Sequence, residues 1–246
     1  MINLKSEVDI EGIRSAGAIV RKVLDELSSI TKPGITTIEY NSICEEITFS
    51  MNAVPAFKGY NGFPYSVCVS VNEEVVHGFP SKRKLREGDI VSIDFGAYYK
   101  DYYADAAVTV AVGDISSKAL KLIEVTKEAL NLGISKAVSG NKLNDISRTI
   151  EEYVVKNNFA VVRDFVGHGV GFKLHEDPQV ANYYIKDNDI LLKEGLVIAI
   201  EPMVNEFGYK VKVKKNGWTV VTRDKGLSAH FEHTVAITKN GPQILT

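Results

Sequence analysis

An α+β fold built from two like halves, each a helix pair followed by sheet, is what this sequence predicts, and three observations carry that prediction. The first is periodicity. Stretches with apolar residues at helical spacing alternate with β-branched and aromatic runs. The second is repetition. Gly34 with Glu45-Glu46 recurs as Gly140 with Glu151-Glu152 at the same offset, and Leu85-Arg86-Glu87-Gly88 recurs as Leu192-Lys193-Glu194-Gly195. The third is chemical. Each of the latter segments leads into a strand that ends in a carboxylate six residues after the glycine, Asp94 in one half and Glu201 in the other. Further on, Ala104-Asp105-Ala106-Ala107-Val108 matches Phe231-Glu232-His233-Thr234-Val235. The chain of 246 residues therefore reads as one domain with an internal repeat, about 1–112 and 113–246, and with a site between the halves.

In chain order, Ser6 can cap a first helix running to about Ser29, with Ile13, Val20, Val23, Leu24 and Leu27 on one face. Thr31-Lys32-Pro33-Gly34 stops it. Thr36 with Glu39 forms a capping-box pattern for a second helix, with Ile43, Ile47 and Met51 expected inward. An aromatic loop follows, punctuated by Pro55, Gly59, Gly62 and Pro64; Tyr65 to Val71 reads as strand and Asn72-Glu73-Glu74 as turn. Ile90 to Asp105 reads as a hairpin. Its two aspartates are 11 residues apart, and a loop at Tyr99-Lys100 would set Asp94 opposite Asp105 on one face. Ser116 to Val138 is helical, with Leu120, Ile123, Leu130 and Ile134 in register, and a second helix spans about Asn144 to Asn157. Strands then dominate, and the second half carries about 20 extra residues between its carboxylates, around Glu206 to Lys225.

Composition sets bounds. With 45% apolar residues the chain can build an ordinary core, and a net charge of -2 advertises no surface for nucleic acid or acidic lipid. Met1-Ile2-Asn3-Leu4-Lys5 has no secretion-type apolar run, and Leu196 to Ile200 is far too short to span a bilayer. Cys44 and Cys68 then read as free thiols in a reducing cytoplasm.

The duplication yields four acids, Asp94, Asp105, Glu201 and Glu232, to which Gly167-His168-Gly169-Val170-Gly171-Phe172-Lys173-Leu174-His175-Glu176-Asp177-Pro178 adds two histidines. Two divalent cations would neutralise four carboxylates, whereas one would leave two charges uncompensated. Oxygen donors with imidazole suit a dinuclear Mn, Fe or Co centre rather than a closed structural zinc site. Taken singly, each residue has a bland reading: a strand-end aspartate is usually solvated, His168 could cap a turn, His175 could begin a loop, and His77 could be a satisfied core histidine. Co-occurrence at repeated positions favours the metal. His230 and His233 flank Glu232 and read as structural, because adjacent strand residues face opposite sides. Gly167-x-Gly169-x-Gly171 misplaces the third glycine of a dinucleotide loop, and His175-Glu176 lacks the second histidine of a zinc-protease helix, since position 179 is Gln179. No Gly-x-Ser-x-Gly elbow or phosphate loop occurs. Residues alone thus leave a dinuclear hydrolase of peptide bonds or of phosphoester bonds.

Several segments together resemble the type I methionine aminopeptidases over nearly the whole chain. They are Val69-Ser70-Val71-Asn72-Glu73 with His77-Gly78, Gly88-Asp89-Ile90-Val91 with Asp94 and Asp105, Gly167-His168-Gly169 with His175-Glu176-Asp177-Pro178, Ile200-Glu201-Pro202-Met203, and Phe231-Glu232-His233-Thr234. The resemblance implies the pita-bread fold, two pseudo-symmetric helix-helix-sheet halves around a central antiparallel sheet, as a single catalytic domain. It implies that Asp94, Asp105, His168, Glu201 and Glu232 bind two divalent ions (Co, Mn, Fe or Zn), with Asp105 and Glu232 shared by both and with Asp94 and Glu232 using more than one oxygen. His77, His175 and Glu201 would be catalytic, His77 and His175 also touching substrate, and Tyr60, Phe63, Cys68, Trp218 and Phe57 would hold a methionine side chain. Phe57, Leu174, Asn61 and Phe79 depart from what the family usually carries, which bears on inhibitor and metal preference or on packing. The expected reaction is removal of the initiator methionine ahead of a small second residue, by a hydroxide bridging the metals. In that reaction Glu201 would move the proton, His175 would donate to the oxyanion and His77 would contact the scissile amide nitrogen.

The expected partners are the N-terminal Met of nascent polypeptides and, transiently, the ribosome. The chain is expected to be a monomer in the cytoplasm with no nucleic-acid specificity and no membrane. Because it starts almost directly at its first helix, it is expected to lack the zinc-binding extension of eukaryotic type I members, the insertion of type II enzymes and the extra domain of prolidase-like relatives. The runner-up is a prolidase or Xaa-Pro aminopeptidase, which shares the metal ligands. A binding module that has lost catalysis is the other class, disfavoured because all five ligand positions are filled.

Overall fold

Two helix pairs pack on a continuous antiparallel sheet in the computed structural model, which describes residues 2–188 and 190–246. Helix α1 spans Glu7–Ser29. The Ser6 hydroxyl accepts the Asp9 amide at 3.2 Å, and the Asp9 carboxylate accepts the Ser6 amide at 2.8 Å, so two otherwise orphan donors are satisfied at its start. The five apolar positions predicted for its inner face are all buried. Helix α2 (Thr37–Ser50) opens where predicted, with the Glu39 carboxylate accepting the Thr36 amide. Its inner face is a correction: Thr37, Tyr40, Cys44 and Thr48 are buried, while Ile43, Ile47 and Met51 pack half-buried at the flank. The polar groups can go inside because they are paired. The Tyr40 hydroxyl lies 2.8 Å from that of Thr31, and the Thr48 hydroxyl donates to the Cys44 carbonyl at 2.6 Å.

The strand expected from Tyr65 is shorter, β2 covering Cys68–Val71; with the two-residue β1 (Val54–Pro55) it pairs onto β3 (Ile90–Tyr99). Strand β3 turns into β4 (Tyr102–Ala111) through Lys100 and Asp101, at φ +46° and +70°. Two consecutive left-handed residues make the turn whose twist matches a tight hairpin. The loop therefore lies one residue later than predicted. Asp94 faces Ala107 and Asp105 faces Gly96, so the two aspartates are diagonal neighbours, not direct partners. Moving the loop by one residue shifts pairing by two positions, and a shift of two preserves the face. Val91, Ile93, Phe95 and Ala97 point to the core under α1 and α2; the intervening positions, Asp94 among them, point away.

The second helix pair is α3 (Ser117–Ser135) and α4 (Leu143–Lys156). Helix α3 ends three residues before Val138. It also leaves Leu120 48% exposed, because its buried face runs through Ala119, Leu122, Val125, Ala129 and Gly133. Small residues are needed there: a Cβ on Gly133 would sit 2.8 Å from Ile150 Cδ1 of α4. Short strands follow: β5 (Ala160–Val161), β6 (Gly167–Gly169), β7 (Glu176–Val180), β8 (Val197–Ile200), β9 (Met203–Asn205), β10 (Val211–Val213), β11 (Val220–Thr222), β12 (Ser228–His230), β13 (Glu232–Thr238) and β14 (Gly241–Ile244). The main sheet runs β1-β3-β4-β13-β8-β6-β7, with β2 on β3 and β14 on β13. Strands β12, β9 and β5 form a small sheet beside it, and the β10–β11 hairpin occupies the extra residues of the second half. Side chains of α1 and α2 with β2 to β4 make one apolar core, and those of α3 and α4 with β8 and β13 make another. Among the described residues no helix is long and apolar enough to cross a membrane.

Candidate metal centre

The sheet face turned away from the helices carries the acids. Asp94 comes from β3, Asp105 from β4, Glu232 from the first residue of β13, and Glu201 directly follows β8. The pairing of Glu232 with Ala107 brings the two halves together at this point. Backbone and hydroxyl contacts hold the acids in place. The Thr234 hydroxyl donates to Asp105 Oδ1 at 3.1 Å, and the Asn182 amide group donates to the Glu201 carbonyl at 3.0 Å. His168 sits in β6 between two glycines that admit no side chain: a Cβ on Gly167 would lie 2.3 Å from the Ala199 carbonyl oxygen, and one on Gly169 would lie 2.2 Å from that of Asp177. The glycines of this segment serve close strand packing, in line with the rejection of a dinucleotide loop. His168 Nδ1 lies 3.0 Å from the Gly169 carbonyl. A carbonyl only accepts, so this assigns the proton to Nδ1 and leaves the Nε2 lone pair facing Asp105 Oδ2 and Glu201 Oε1, each at 3.5 Å.

The electrostatics of the acids are unusual. Burial, reinforced by the Glu201 and Asp105 carboxylates, pushes Asp94 up to about 7. Burial pushes Glu201 up to about 8, with Asp105 adding to it and His168 opposing. Glu232 is held well above the ordinary range by burial and then by the three other acids, and Asp105 is also raised by burial. Among the described residues no lysine or arginine forms an ion pair with any of the four; only the His168 and His230 rings lie beside them. Four buried acids that repel one another with no counter-charge make a site that cations complete. Ligand atoms of Asp105, His168 and Glu232 already lie within 4.8 Å of one another. The donor set, carboxylate oxygens with one imidazole, fits hard to borderline divalent ions.

All twelve residues predicted for the site line one cavity of about 330 Å³, joined by Asn61 and Leu174. Phe63 meets Trp218 edge-on at 5.2 Å between ring centroids, Phe57 lies 6.5 Å from Phe95, and Tyr60 lies 5.0 Å from His175. Cys68 pairs across the sheet with Asp94 and is buried. His175 packs 4.1 Å from the His168 ring, and burial, then His168 and His77, lower it to about 3. His77 packs edge-on against Phe165 and Trp218, and burial lowers it to about 4. Both rings are therefore neutral near pH 7. His77 also sits at φ +56°, an uncommon backbone state for a bulky residue, held by the Thr219 hydroxyl on its carbonyl at 3.2 Å.

One residue at the acids escaped the sequence reasoning. His233 does turn away, its Nδ1 2.9 Å from the Thr246 hydroxyl. His230 does not: its Nε2 lies 3.5 Å from Glu201 Oε2, and neither ring nitrogen has a hydrogen-bond partner. The signal was present, because residues two apart in extended chain share a face and only the immediate neighbour of Glu232 had to face the other way.

Comparison with known proteins agrees with this geometry. The model of metallopeptidase family M24 matches residues 11–239. The methionine aminopeptidase of Clostridium acetobutylicum is 53% identical, over 100% of this chain and 99% of that protein. The crystal structure of methionine aminopeptidase from Thermotoga maritima superposes with a TM-score of 0.98 at 47% identity, covering 100% of this chain and 99% of that one. The prolidase from Pyrococcus horikoshii is more distant, with a TM-score of 0.78 at 26% identity over 99% of this chain and 63% of that one. The α+β pita-bread expectation is met.

Proposed function

Since the chain belongs to metallopeptidase family M24, and within it to the methionine aminopeptidases, we propose that Asp94, Asp105, His168, Glu201 and Glu232 hold two divalent cations and that Glu201, His175 and His77 handle the proton and charge of peptide hydrolysis. The enzyme is a metal-dependent exopeptidase that removes an N-terminal methionine ahead of a small second residue. The single observation that carries the residue assignment is the convergence of four buried, mutually repelling acids and one imidazole in a cavity walled by aromatic rings. Four negative charges support two divalent ions rather than one, of which Mn, Fe, Co and Zn are the candidates.

Divalent cations supply Lewis acidity and make water a nucleophile near neutral pH. Glu201, whose carboxylate lines the cavity beside the other acids, can take a proton from the attacking water and return it to the leaving amine. His175 is neutral, so it acts on the developing oxyanion as an N–H donor and not as a full charge. His77 meets the scissile amide nitrogen from the Trp218 side of the cavity. Tyr60, Phe63, Cys68, Trp218 and Phe57 receive the methionine side chain, whose thioether packs well on aromatic edges.

The setting we propose is the cytoplasm, where both free thiols stay reduced, with a monomer acting on nascent chains and touching the ribosome transiently. We also read the chain as a single catalytic domain that arose by duplication of 1–112 and 113–246, supported by the order helix pair, then acid-bearing strands, in each half. The test is hydrolysis of a Met-Gly-Met tripeptide after chelation and after adding back Mn, Fe, Co or Zn. Loss and recovery are expected. Hydrolysis that survives chelation, or a preference for Ala-Pro over Met-Ala peptides, refutes the proposal.

A further inference from the structure

Lys5 is a charged residue sealed from solvent. Its Nζ lies 2.7 Å from Glu176 Oε2, and the two side chains are 0% and 2% accessible. Burying such a pair costs several kcal/mol per ion, and further hydrogen bonds to both partners offset that cost. Lys5 Nζ also donates to the Asn3 carbonyl at 3.1 Å. The other glutamate oxygen, Oε1, accepts the backbone amides of Phe172 at 2.7 Å and Lys173 at 2.9 Å. Burial tends to raise Glu176, but these donors outweigh it and leave the carboxyl below its ordinary value, so it is ionised and the pair is a true ion pair at neutral pH.

What the pair holds is the segment from Gly171 to Glu176, which contains His175. The carboxylate folds that segment back on itself through the two amides, and the ammonium anchors the carboxylate. The lysine is in turn fixed in a slot between two glycines. Its amide donates to the Gly195 carbonyl at 2.7 Å; a Cβ on Gly195 would fall 2.6 Å from the Lys5 carbonyl oxygen, and one on Gly171 would fall 2.8 Å from Lys5 Cε. Gly195 stands two residues before β8, the strand that delivers Glu201. Lys5 thus ties the loop of one proposed catalytic residue to the strand of another, although it does not itself line the cavity.

We propose that Lys5 is a positioning residue for catalysis: through Glu176 it sets the 171–176 segment so that His175 stays packed between Tyr60 and His168, aimed at the oxyanion. This rests on the catalytic role proposed above for His175. A buried pair that served stability alone would change melting temperature without regard to His175, whereas a positioning pair loses its effect when His175 is absent.

The experiment measures kcat and KM on a Met-Gly-Met tripeptide with full-length, Mn-loaded chains carrying Lys5→Met, Lys5→Arg, Glu176→Gln, His175→Ala, or Lys5→Met with His175→Ala. Misplacing a catalytic group by about 1 Å costs up to roughly 100-fold. We therefore expect kcat to fall about 10- to 100-fold in Lys5→Met with KM within about twofold, to recover in part in Lys5→Arg, and to fall no further when Lys5→Met is added to His175→Ala. If Lys5→Met lowers kcat by the same factor in both backgrounds, or shifts only melting temperature, the proposal is overturned while the His175 role stands. Wild-type turnover in His175→Ala removes the His175 role itself and this proposal with it. Should Lys5→Met not fold, Glu176→Gln carries the same comparison, because it keeps the shape but turns one accepting oxygen into a donor facing Lys5 or the loop amides.

Discussion

Glu201 and Asp94 are acids whose folded proton affinity lies far above their unfolded values of 4.5 and 3.8, and this sets how the metal-free protein responds to pH. Where the folded state binds more protons than the unfolded one, stability falls as pH rises. The stabilisation from protonated Asp94 and Glu201 is full below their unfolded values and is lost as pH climbs through about 7 and then about 8. His77 and His175 work the opposite way, but only below their unfolded value of 6.5. Above that pH the acids act alone. The chelated protein should therefore show a melting temperature that drops from pH 6.5 to 8, and Mn should abolish the drop; calorimetry at three pH values checks this. A second prediction concerns the proton carrier. Glu201→Gln should lower kcat by roughly 100- to 10,000-fold, the usual worth of a general acid-base, in protein shown by titration to bind Mn. The acids were legible in the sequence because the repeat marked them twice. His230 was not, because a rule that holds for adjacent residues was applied to one two positions away.

At the scale of elements, legibility followed length and local chemistry. Helix α1 was readable because the Ser6 cap and the apolar stripe agree, and Pro33-Gly34 follows its end. The register of the β3–β4 hairpin was not, because its turn uses Lys100 and Asp101 where Asn-Gly would have announced it. That mismatch makes a prediction. A lysine at φ +46° pays for a left-handed backbone that asparagine tolerates better, and Lys100 is exposed. Lys100→Asn should stabilise the protein by about 0.5 kcal/mol in urea unfolding, with unchanged activity. Strands β6 and β9 were unreadable for another reason: each is three residues long, too short to show alternation, and β6 is fixed by backbone approach instead. Gly167 is the clearest case. A Cβ there would press on the Ala199 carbonyl, which is backbone and cannot swing aside. Gly167→Ala should cost at least ~2 kcal/mol and should weaken Mn binding by displacing His168; thermal melts and a Mn titration of the same preparation would show both.

For the whole molecule, the two apolar cores adjoin at Val108, next to the Ala107 that faces Glu232, so the halves meet where the acids do. Between β4 and β13 only Glu232 with Ala107 and His233 with Ala106 are paired, and the rest of that seam is side-chain work: Thr234 on Asp105, and the Thr109 hydroxyl donating to the His230 carbonyl at 2.8 Å. Asp94 and Asp105 belong to one half, and Glu201 and Glu232 to the other. Cations held among them draw the halves together; without cations, the acids push on a seam of two paired positions as rising pH strips their protons. Metal binding and the integrity of the seam are then one equilibrium, since a ligand that binds only the folded state adds about 2.7 kcal/mol at 100 times its dissociation constant. Chelation should leave amide exchange in α1 and α3 slow while speeding it along β4 and the start of β13, because local opening costs less than global unfolding. Exchange that rises equally everywhere would mean that the ions stabilise the fold as a whole, and exchange that does not change would mean that the acids are held by the protein scaffold alone.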